Sequence, residues 1–278
     1  MATFTERVLI LCKTYPSPSA SYVETSCVAG VTAAGKLIRL FPVPFRLIAD
    51  EQQFRKWQWI TVRMEKAPAD HRPESHRVFV DTVQCEGEPL PSGKQGWPRR
   101  MEHLRNVPIF SDFDAVQAAR ESQGTTLALL RPNRILELQI KPTKSADWTP
   151  EELAKLKQDQ IQTSLLDTEA HRKPAPLLQK IPFDFHYRYE CLVDGKSVVY
   201  RHKLVDWEAG ALYRRLLREH GPSGWEAPFR AKYEQELPST DLLMLLGTMH
   251  RFKDKWLAVS VICPPKPQSA NHSQESLF

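Results

Sequence analysis

The sequence predicts an α+β fold: an N-terminal small antiparallel β-barrel-like part with two helices (residues 1–145), a helical connector and linker (146–180), and a C-terminal β-hairpin/helix/β-hairpin part (181–263), then a polar tail (264–278). Three observations carry this. Between Arg7 and Cys85, short runs rich in β-branched and aromatic residues are punctuated by Pro and Gly. Thr149-Pro150-Glu151-Glu152 has the composition of a helix start: a capping hydroxyl, a proline suited to the first turn, and acids at the positive dipole end. Asp194-Gly195 is a hairpin dipeptide between two strand-like runs, and Asp206 stands where it can cap the helix that follows.

Taken in order, Arg7 to Lys13 reads as a buried strand, its run of Val, Leu and Ile being too short for a helix and halted by Tyr15-Pro16-Ser17-Pro18. Tyr22 to Val31 and Lys36 to Phe41 form a hairpin about Ala33-Ala34-Gly35, and a short helical piece lies around Glu51 to Arg55. Trp59 to Lys66 and Arg77 to Cys85 alternate as half-buried strands do. Helices follow over Arg99 to Val107 and Asp112 to Gln123, the second with Ser111 as N-cap and Gly124 as stop, and then strands over Leu127 to Leu130 and Ile135 to Ile140. The charged stretch Asp147 to Gln162 is the connector helix. In the C-terminal part, strands Phe183 to Val193 and Ser197 to Val205 precede a helix over Trp207 to Glu219 that stops at Gly221-Pro222. A further helix over Phe229 to Leu237 and a strand pair, Asp241 to Thr248 with Trp256 to Cys263, complete it. No internal repeat is evident in the sequence.

At 278 residues the chain can build a core without disulfides or metals. Its five cysteines are odd in number and lack any Cys-x-x-Cys pair, which fits neither a disulfide framework nor a thiolate zinc site and points to a reducing cytoplasm. No apolar stretch is long enough to span a bilayer, so no membrane association is expected. Nothing resembles a P-loop, a dinucleotide fingerprint, a Gly-x-Ser-x-Gly elbow or a His-Glu-x-x-His helix, so those enzyme classes are unsupported.

A net charge of +5 is mild, but its distribution favours DNA as a partner. From Lys36 to Lys66, seven basic residues stand against three acids, with Phe41, Phe45, Trp57 and Trp59 among them. Cations interleaved with aromatics suit phosphate contact plus base stacking, which nominates Lys13, Lys36, Arg39, Arg46, Arg55, Lys56 and Trp57. The loop segment His71-Arg72-Pro73-Glu74-Ser75-His76-Arg77 adds His71, Arg72, His76 and Arg77 as groups that could clamp a phosphate or orient a flipped base. The same patterns also describe a barrel with a solvated basic face.

For chemistry, His202, Asp206 and Glu208 lie at the end of a strand that feeds a helix, and with His186 could supply metal ligands or a general acid and base. A divalent metal is compatible with that set, and none is required by it. Glu24, on one face of its strand with Ser26 and opposite Thr25 and Cys27, could serve as the carboxylate of a base-excising enzyme, or as half of a cross-strand salt bridge with Lys13 or Arg39.

Two resemblances extend this reading. The pattern KTYPSPSASYVETSCVAG followed by KLIRLFPVPFR, with RPES at 72–75, LRPNRI at 130–135 and HKLVDWEAGALYR at 202–214, resembles an uncharacterised prokaryotic family associated with DNA repair and defence. It implies a setting and no mechanism. A cysteine carried by relatives near the His202 strand is absent here, which weighs against a Cys/His metal site. The final pentapeptide, Gln274-Glu275-Ser276-Leu277-Phe278, resembles the bacterial sliding-clamp-binding motif, in which Leu277 and Phe278 would fill an apolar pocket and Gln274 would supply an oriented amide. Glu275 stands where that motif is usually apolar. Together these readings imply a DNA-binding protein of repair, replication or genome defence, either an enzyme on DNA (a glycosylase or metal-dependent nuclease) or a non-catalytic reader of modified DNA.

Overall fold

The computed structural model describes residues 2–67, 69–93, 95–163 and 176–267. Its first strands are β1 (Phe4–Lys13), β2 (Ser17–Ser19), β3 (Val23–Thr32), β4 (Leu37–Val43), β5 (Trp59–Lys66), β6 (Ser75–Val78) and β7 (Gln84–Glu86). β1 pairs with β3, β3 with β4, β4 with β6, β6 with β5, and β5 with β1 again, so five strands close a barrel. All of these pairings are antiparallel except β4 with β6, which is parallel at Arg39–Ser75 and Leu40–His76. The expected α+β fold with an N-terminal barrel is therefore observed. The run expected as one strand from Arg77 to Cys85 is two short strands, β6 and β7, broken at Val80–Thr82 by a 3₁₀ turn.

The chain continues through α1 (Gly96–Glu102), β8 (Ile109–Phe110), α2 (Phe113–Gln123), β9 (Leu127–Leu130), β10 (Arg134–Pro142), α3 (Pro150–Thr163), β11 (Phe183–Val193), β12 (Lys196–Leu204), α4 (Trp207–Gly224), α5 (Glu226–Arg230), β13 (Leu243–Thr248) and β14 (Trp256–Ile262). α2 is capped by Asp112, whose side chain accepts from Ala115 N, where the sequence pointed to Ser111. α4 runs past the expected stop, kinking at Gly221, whose φ of 73° only glycine adopts without strain. After α5 the chain makes a π-helical turn over Ala231–Glu236 rather than a separate helix over Phe229 to Leu237.

The second sheet runs β10-β11-β12-β14-β13-β9-β8. Its two halves are tied by the chain itself, because β9 and β10 are consecutive and separated by Arg131, Pro132 and Asn133 alone. This sheet is thus a second barrel, whose first strand is broken at a corner: β9 pairs with β13, and β10 pairs with β11. Here too the third and fifth strands, β12 and β14, form the parallel pair, and α4 links the third strand to the fourth. Both barrels follow one order, 1-2-3-5-4-1, which is that of the OB-fold. Residues 127–142, which the sequence pattern grouped with the N-terminal part, belong to this second barrel.

Three apolar cores result. Val8, Ile10, Ile38, Leu40, Ile60 and Met64 fill the first barrel, and Leu130, Leu138, Tyr187, Tyr189, Leu216 and Phe229 fill the second. A third core lies between them, built from Leu9 and Leu11 of β1, Val31 of β3, Leu127 and Leu129 of β9, and Leu243 and Leu245 of β13. Alternation explains the assignment, since side chains i and i+2 of a strand share a face. Val8 and Ile10 point into the first barrel while Leu9 and Leu11 point out of it into the seam. The run Val8 to Cys12 is continuously apolar because both faces of β1 are buried there. Among the described residues no helix is long and apolar enough to cross a membrane.

Leu245 is fully buried in the seam. Leu245→Ala is expected to cost about 2–5 kcal/mol. In chemical denaturation followed by tryptophan fluorescence and far-UV circular dichroism, both barrels are expected to unfold in one transition at lower denaturant. Two separated transitions would show barrels that fold independently.

Candidate nucleic-acid interface

The connections of the first barrel converge on one open face. The link from β1 to β3, carrying β2, and the link from β5 to β6 flank the β3–β4 surface, and the loop from β13 to β14 reaches over from the second barrel. They enclose a cavity of about 830 Å³. Its lining is mixed: Thr25 and Cys27 of β3, Arg39 of β4 and Thr248 at the end of β13 set polar groups among apolar ones such as Val205, Leu257 and Val259. Its rim carries Tyr15, Phe41, His76 and Arg77 from the first barrel, His250 and Arg251 from the second, and Lys155 of α3. Phe41 is 42% exposed, an aromatic ring facing solvent at the edge of the cavity.

Arg39 is 2% exposed and ties the floor to the second barrel. Its Nη1 donates to Ser75 Oγ (3.1 Å) and Thr126 Oγ1 (3.2 Å), and its Nη2 to Thr126 O (2.9 Å). Burial holds its pKa below the usual arginine value. Glu74 completes this joint by accepting from Thr126 N (2.8 Å), Leu127 N (3.2 Å) and the Thr126 hydroxyl. Arg72 donates to Thr248 O at 2.7 Å and forks onto Asp70, with Nη2 at 2.6 Å from Oδ2. Burial works against charge on Asp70, but the bonds from Arg72 outweigh it and hold the carboxyl well below the ordinary range. In contrast, Thr25 Oγ1 and Thr248 Oγ1 are buried without a hydrogen-bond partner among the described residues. Burial pushes the Cys27 thiol up, so it is a neutral group of the floor.

The sequence-nominated residues fall into four groups. Arg39, Arg72, His76 and Arg77 line the cavity, and His71 stands beside it, its ring stacked on His250 at 5.7 Å. Arg39 and Arg72, however, are joints between the barrels rather than free cations for a backbone, since their donors are already engaged. Trp57 is 3% exposed and packs edge-on against Trp97 at 5.8 Å, so it is core and has no face to offer a base. Lys13 lies 3.5 Å above the Phe45 ring and donates to Phe54 O at 3.2 Å, and burial lowers its pKa to about 8. Lys36 is exposed on the β3–β4 turn, Arg46 pairs with Glu24 at 3.3 Å, and Arg55 pairs with Glu88 at 2.6 Å, all apart from the cavity.

The groups nominated for chemistry do not form one cleft. Glu24 is 2% exposed, faces the barrel side of β3 and is held by Arg46, with burial raising its pKa. His202 lies in the second barrel, hydrogen-bonded through Nδ1 to Tyr189 Oη at 2.9 Å and packed on Phe113 at 4.5 Å. Asp206 and Glu208 belong instead to the seam. Asp206 caps α4 by accepting from Glu208 N (3.0 Å) and takes the Ser260 hydroxyl at 2.6 Å. Lys56 Nζ donates to Glu208 (2.8 Å), Ser260 Oγ (3.1 Å) and Val261 O (3.0 Å). The expected metal or acid–base set of His202, Asp206 and Glu208 is therefore corrected: Asp206 and Glu208 stand together, joined through Ser260 and Lys56, while His202 is engaged apart from them with Tyr189 and Phe113. Gln274, Leu277 and Phe278 lie outside the described residues.

The quoted sequence motifs acquire a physical meaning here. Thr14 bridges to Asp206, and Tyr15 N donates to Val205 O at 2.9 Å, so KTYP and VDWE are two sides of one stitch. Gly210 belongs to that stitch, because a Cβ there would come within 2.3 Å of the Tyr15 ring. Thr248, His250 and Arg251 were missed because they stand far along the chain. The basic segment His250-Arg251-Phe252-Lys253 was the one signal that could have found them.

Residues 110–278 match a family described as a domain of unknown function (DUF8757), and residues 4–106 match a second such domain (DUF8758). The chain belongs to the DUF8757 family, whose match takes in the whole second barrel, while the other takes in the first. No curated protein matches the sequence. Among solved structures, the chain is similar to one from a replication protein A heterotrimer bound to ssDNA, at 8% identity and a TM-score of 0.27, the match covering 94% of this chain and 66% of that one.

Burial of His202 lowers its pKa from 6.5 to about 4. Between those pH values the unfolded chain takes up a proton that the folded protein refuses, so stability falls as pH drops through that window. The loss attributable to His202 is up to about 3 kcal/mol at its lower end. His202→Gln is expected to flatten the stability–pH curve between pH 6.5 and 4, measured by denaturant titration at each pH. An unchanged slope would place the imidazole in water.

Proposed function

We propose that this protein binds single-stranded nucleic acid, DNA in the first instance, along the β3–β4 face of the N-terminal barrel, and seats one base in the cavity between the barrels. The observation that carries this reading is the cavity itself. Its 830 Å³ sits on the face and between the loops that OB-fold barrels use for oligonucleotides, a fold-level analogy given content by its lining. Phe41 offers a stacking ring and Arg77, Arg251 and Lys155 offer cations at the rim, while the buried hydroxyls of Thr25 and Thr248, without partners among the described residues, lie just beneath the floor, where a rotamer change would bring them to a base edge.

The lining favours a reader over a base-excising enzyme. Asp70 is the one carboxylate among the described residues that line the cavity, and it is committed to Arg72. Glu24, Asp206 and Glu208 are not among those lining residues. A reader of modified bases fits the setting of repair or defence implied by the sequence resemblance. The C-terminal pentapeptide adds a proposed second contact, a replication sliding clamp, which would bring the reader to newly copied DNA.

Fluorescence anisotropy with labelled oligonucleotides tests the reading. Single strands are expected to bind more tightly than duplex, with Phe41→Ala weakening binding by about 1–3 kcal/mol, the usual worth of one stacked base. Arg77→Ala and Arg251→Ala are expected to weaken binding to all sequences alike and to reduce its salt dependence. Thr25→Val is expected to alter base preference instead. Failure to bind any oligonucleotide at low salt overturns the proposal, and an abasic or nicked product overturns the reader in favour of an enzyme. Leu277→Ala with Phe278→Ala is expected to abolish retention on an immobilised bacterial sliding clamp while leaving oligonucleotide affinity unchanged.

A further inference from the structure

We propose that Asp70, His71 and His250 form a binding site for one divalent transition-metal ion, zinc in the first instance, that clasps the two barrels at the mouth of the cavity. The three side chains come from equivalent places in the two halves. Asp70 and His71 lie on the loop between the fourth and fifth strands of the first barrel, and His250 on the loop between the fourth and fifth strands of the second. One ligand atom from each can be chosen so that all lie within 4.8 Å of one another.

The spacing suits a metal better than it suits a direct contact. Asp70 Oδ1 and His250 Nδ1 are 3.4 Å apart. A charge-assisted hydrogen bond between such groups is about 2.7–2.9 Å long. Two ligands on a tetrahedral zinc, each at about 2.1 Å, stand about 3.4 Å from one another. His71 and His250 are both exposed, and their rings are stacked, so bringing the third donor onto the ion needs only side-chain rotation. Two imidazoles and one carboxylate suit zinc and its neighbours in the first transition row, whereas magnesium and calcium prefer all-oxygen shells.

Arg72 fixes the carboxylate ligand, Asp70. It donates to Asp70 Oδ1 from its backbone N (3.0 Å) and Nε (2.9 Å), and to Oδ2 from Nη2 (2.6 Å), which aims the carboxylate as outer hydrogen bonds do at metal sites. The same guanidinium offsets the carboxylate charge, so affinity comes from the imidazoles and from the fixed geometry. Asp70 and His250 also line the cavity, so the coordination positions left open face a space large enough for water or for a phosphate oxygen of a ligand.

The test is zinc binding to the full chain, by isothermal titration calorimetry and by competition with a chromophoric chelator, on protein first stripped with a chelator. The expected result is one equivalent of zinc. His71→Ala and His250→Ala are each expected to weaken it at least about tenfold, while His220→Ala, on the exposed end of α4, leaves it unchanged. Zinc is also expected to raise the melting temperature of the wild type but not of His250→Ala, a readout that separates a clasp from surface adsorption. No binding, equal binding by the histidine variants, or binding of magnesium or calcium in preference to zinc each overturns the proposal. Oligonucleotide binding is assayed without added metal, so its outcome stands apart from this one.

Discussion

Everything in this molecule depends on a layer of strands with no solvent face. β1, β9 and β13 each serve two cores at once, one set of side chains filling a barrel and the alternate set filling the seam. A five-stranded barrel of this size has a limited interior, and its outward residues would ordinarily meet water. Here the outward residues of β1 are Leu9 and Leu11, each fully buried against the second barrel. Neither barrel can keep these strands and stand alone, because exposure would leave a contiguous apolar patch on each. The register of β1 is correspondingly strict, since a one-residue slip exchanges the two cores.

Apolar layers of this kind hold surfaces together but do not by themselves choose an orientation. Orientation comes from the polar groups set into the rim of the seam. On one side Lys56 reaches Glu208, Ser260 and Val261 O. Burial works against the charge on Lys56, but Asp206 and Glu208 outweigh it and raise its pKa, while burial raises that of Asp206 to about 6. On the other side Arg39 and Glu74 meet Thr126, and Arg72 meets Thr248 O. Buried charges with a full set of partners are close to neutral in net stability, but removing one partner strands the other and costs about 3–5 kcal/mol. These joints therefore act mainly against wrong dockings, in which a buried guanidinium or carboxylate would have no counterpart. This is a physical reason for the motifs KTYP, RPES and DWEAG to be as they are, independent of any ligand.

Much of the first barrel is legible in the sequence, because turns and short alternating strands leave local marks. The Asp194-Gly195 hairpin is equally plain, its Asp194 at φ 49° and Gly195 at φ 76° as such a turn requires. The second barrel is not legible as a barrel. Its first strand is split by Arg131-Pro132-Asn133, and its pairing partners stand about 50 and 115 residues farther on in sequence, beyond the reach of periodicity. The two halves share topology while sharing no recognisable sequence repeat, since each position need only be apolar or polar to suit its face. For the site, residue type misled where burial decided. Arg39, Trp57 and Lys56 have the composition of a nucleic-acid surface, yet each is spent inside the protein. Tyr15, Thr25 and Cys27 were legible as neighbours on one strand and its approach, but only folding adds Thr248 and His250 to them.

The cavity and the seam are one construction. Arg39 and Thr248 are floor residues and joint residues at once, the former through Thr126 and the latter through its carbonyl bond to Arg72. Because the floor is shared, the proposed ligand seated there would touch both barrels and would be bound fully only when they are docked in this orientation. Thermodynamic linkage then requires that whatever tightens the docking also favours the ligand, and that the ligand in turn tightens the docking. The lining accordingly mixes polar groups into an otherwise apolar surface that includes Leu257 and Val259. Thr25 and Thr248 hold buried hydroxyls that no neighbour among the described residues satisfies. An unmet hydrogen bond of this kind costs about 1–3 kcal/mol when buried, and a ligand with complementary polar edges recovers it.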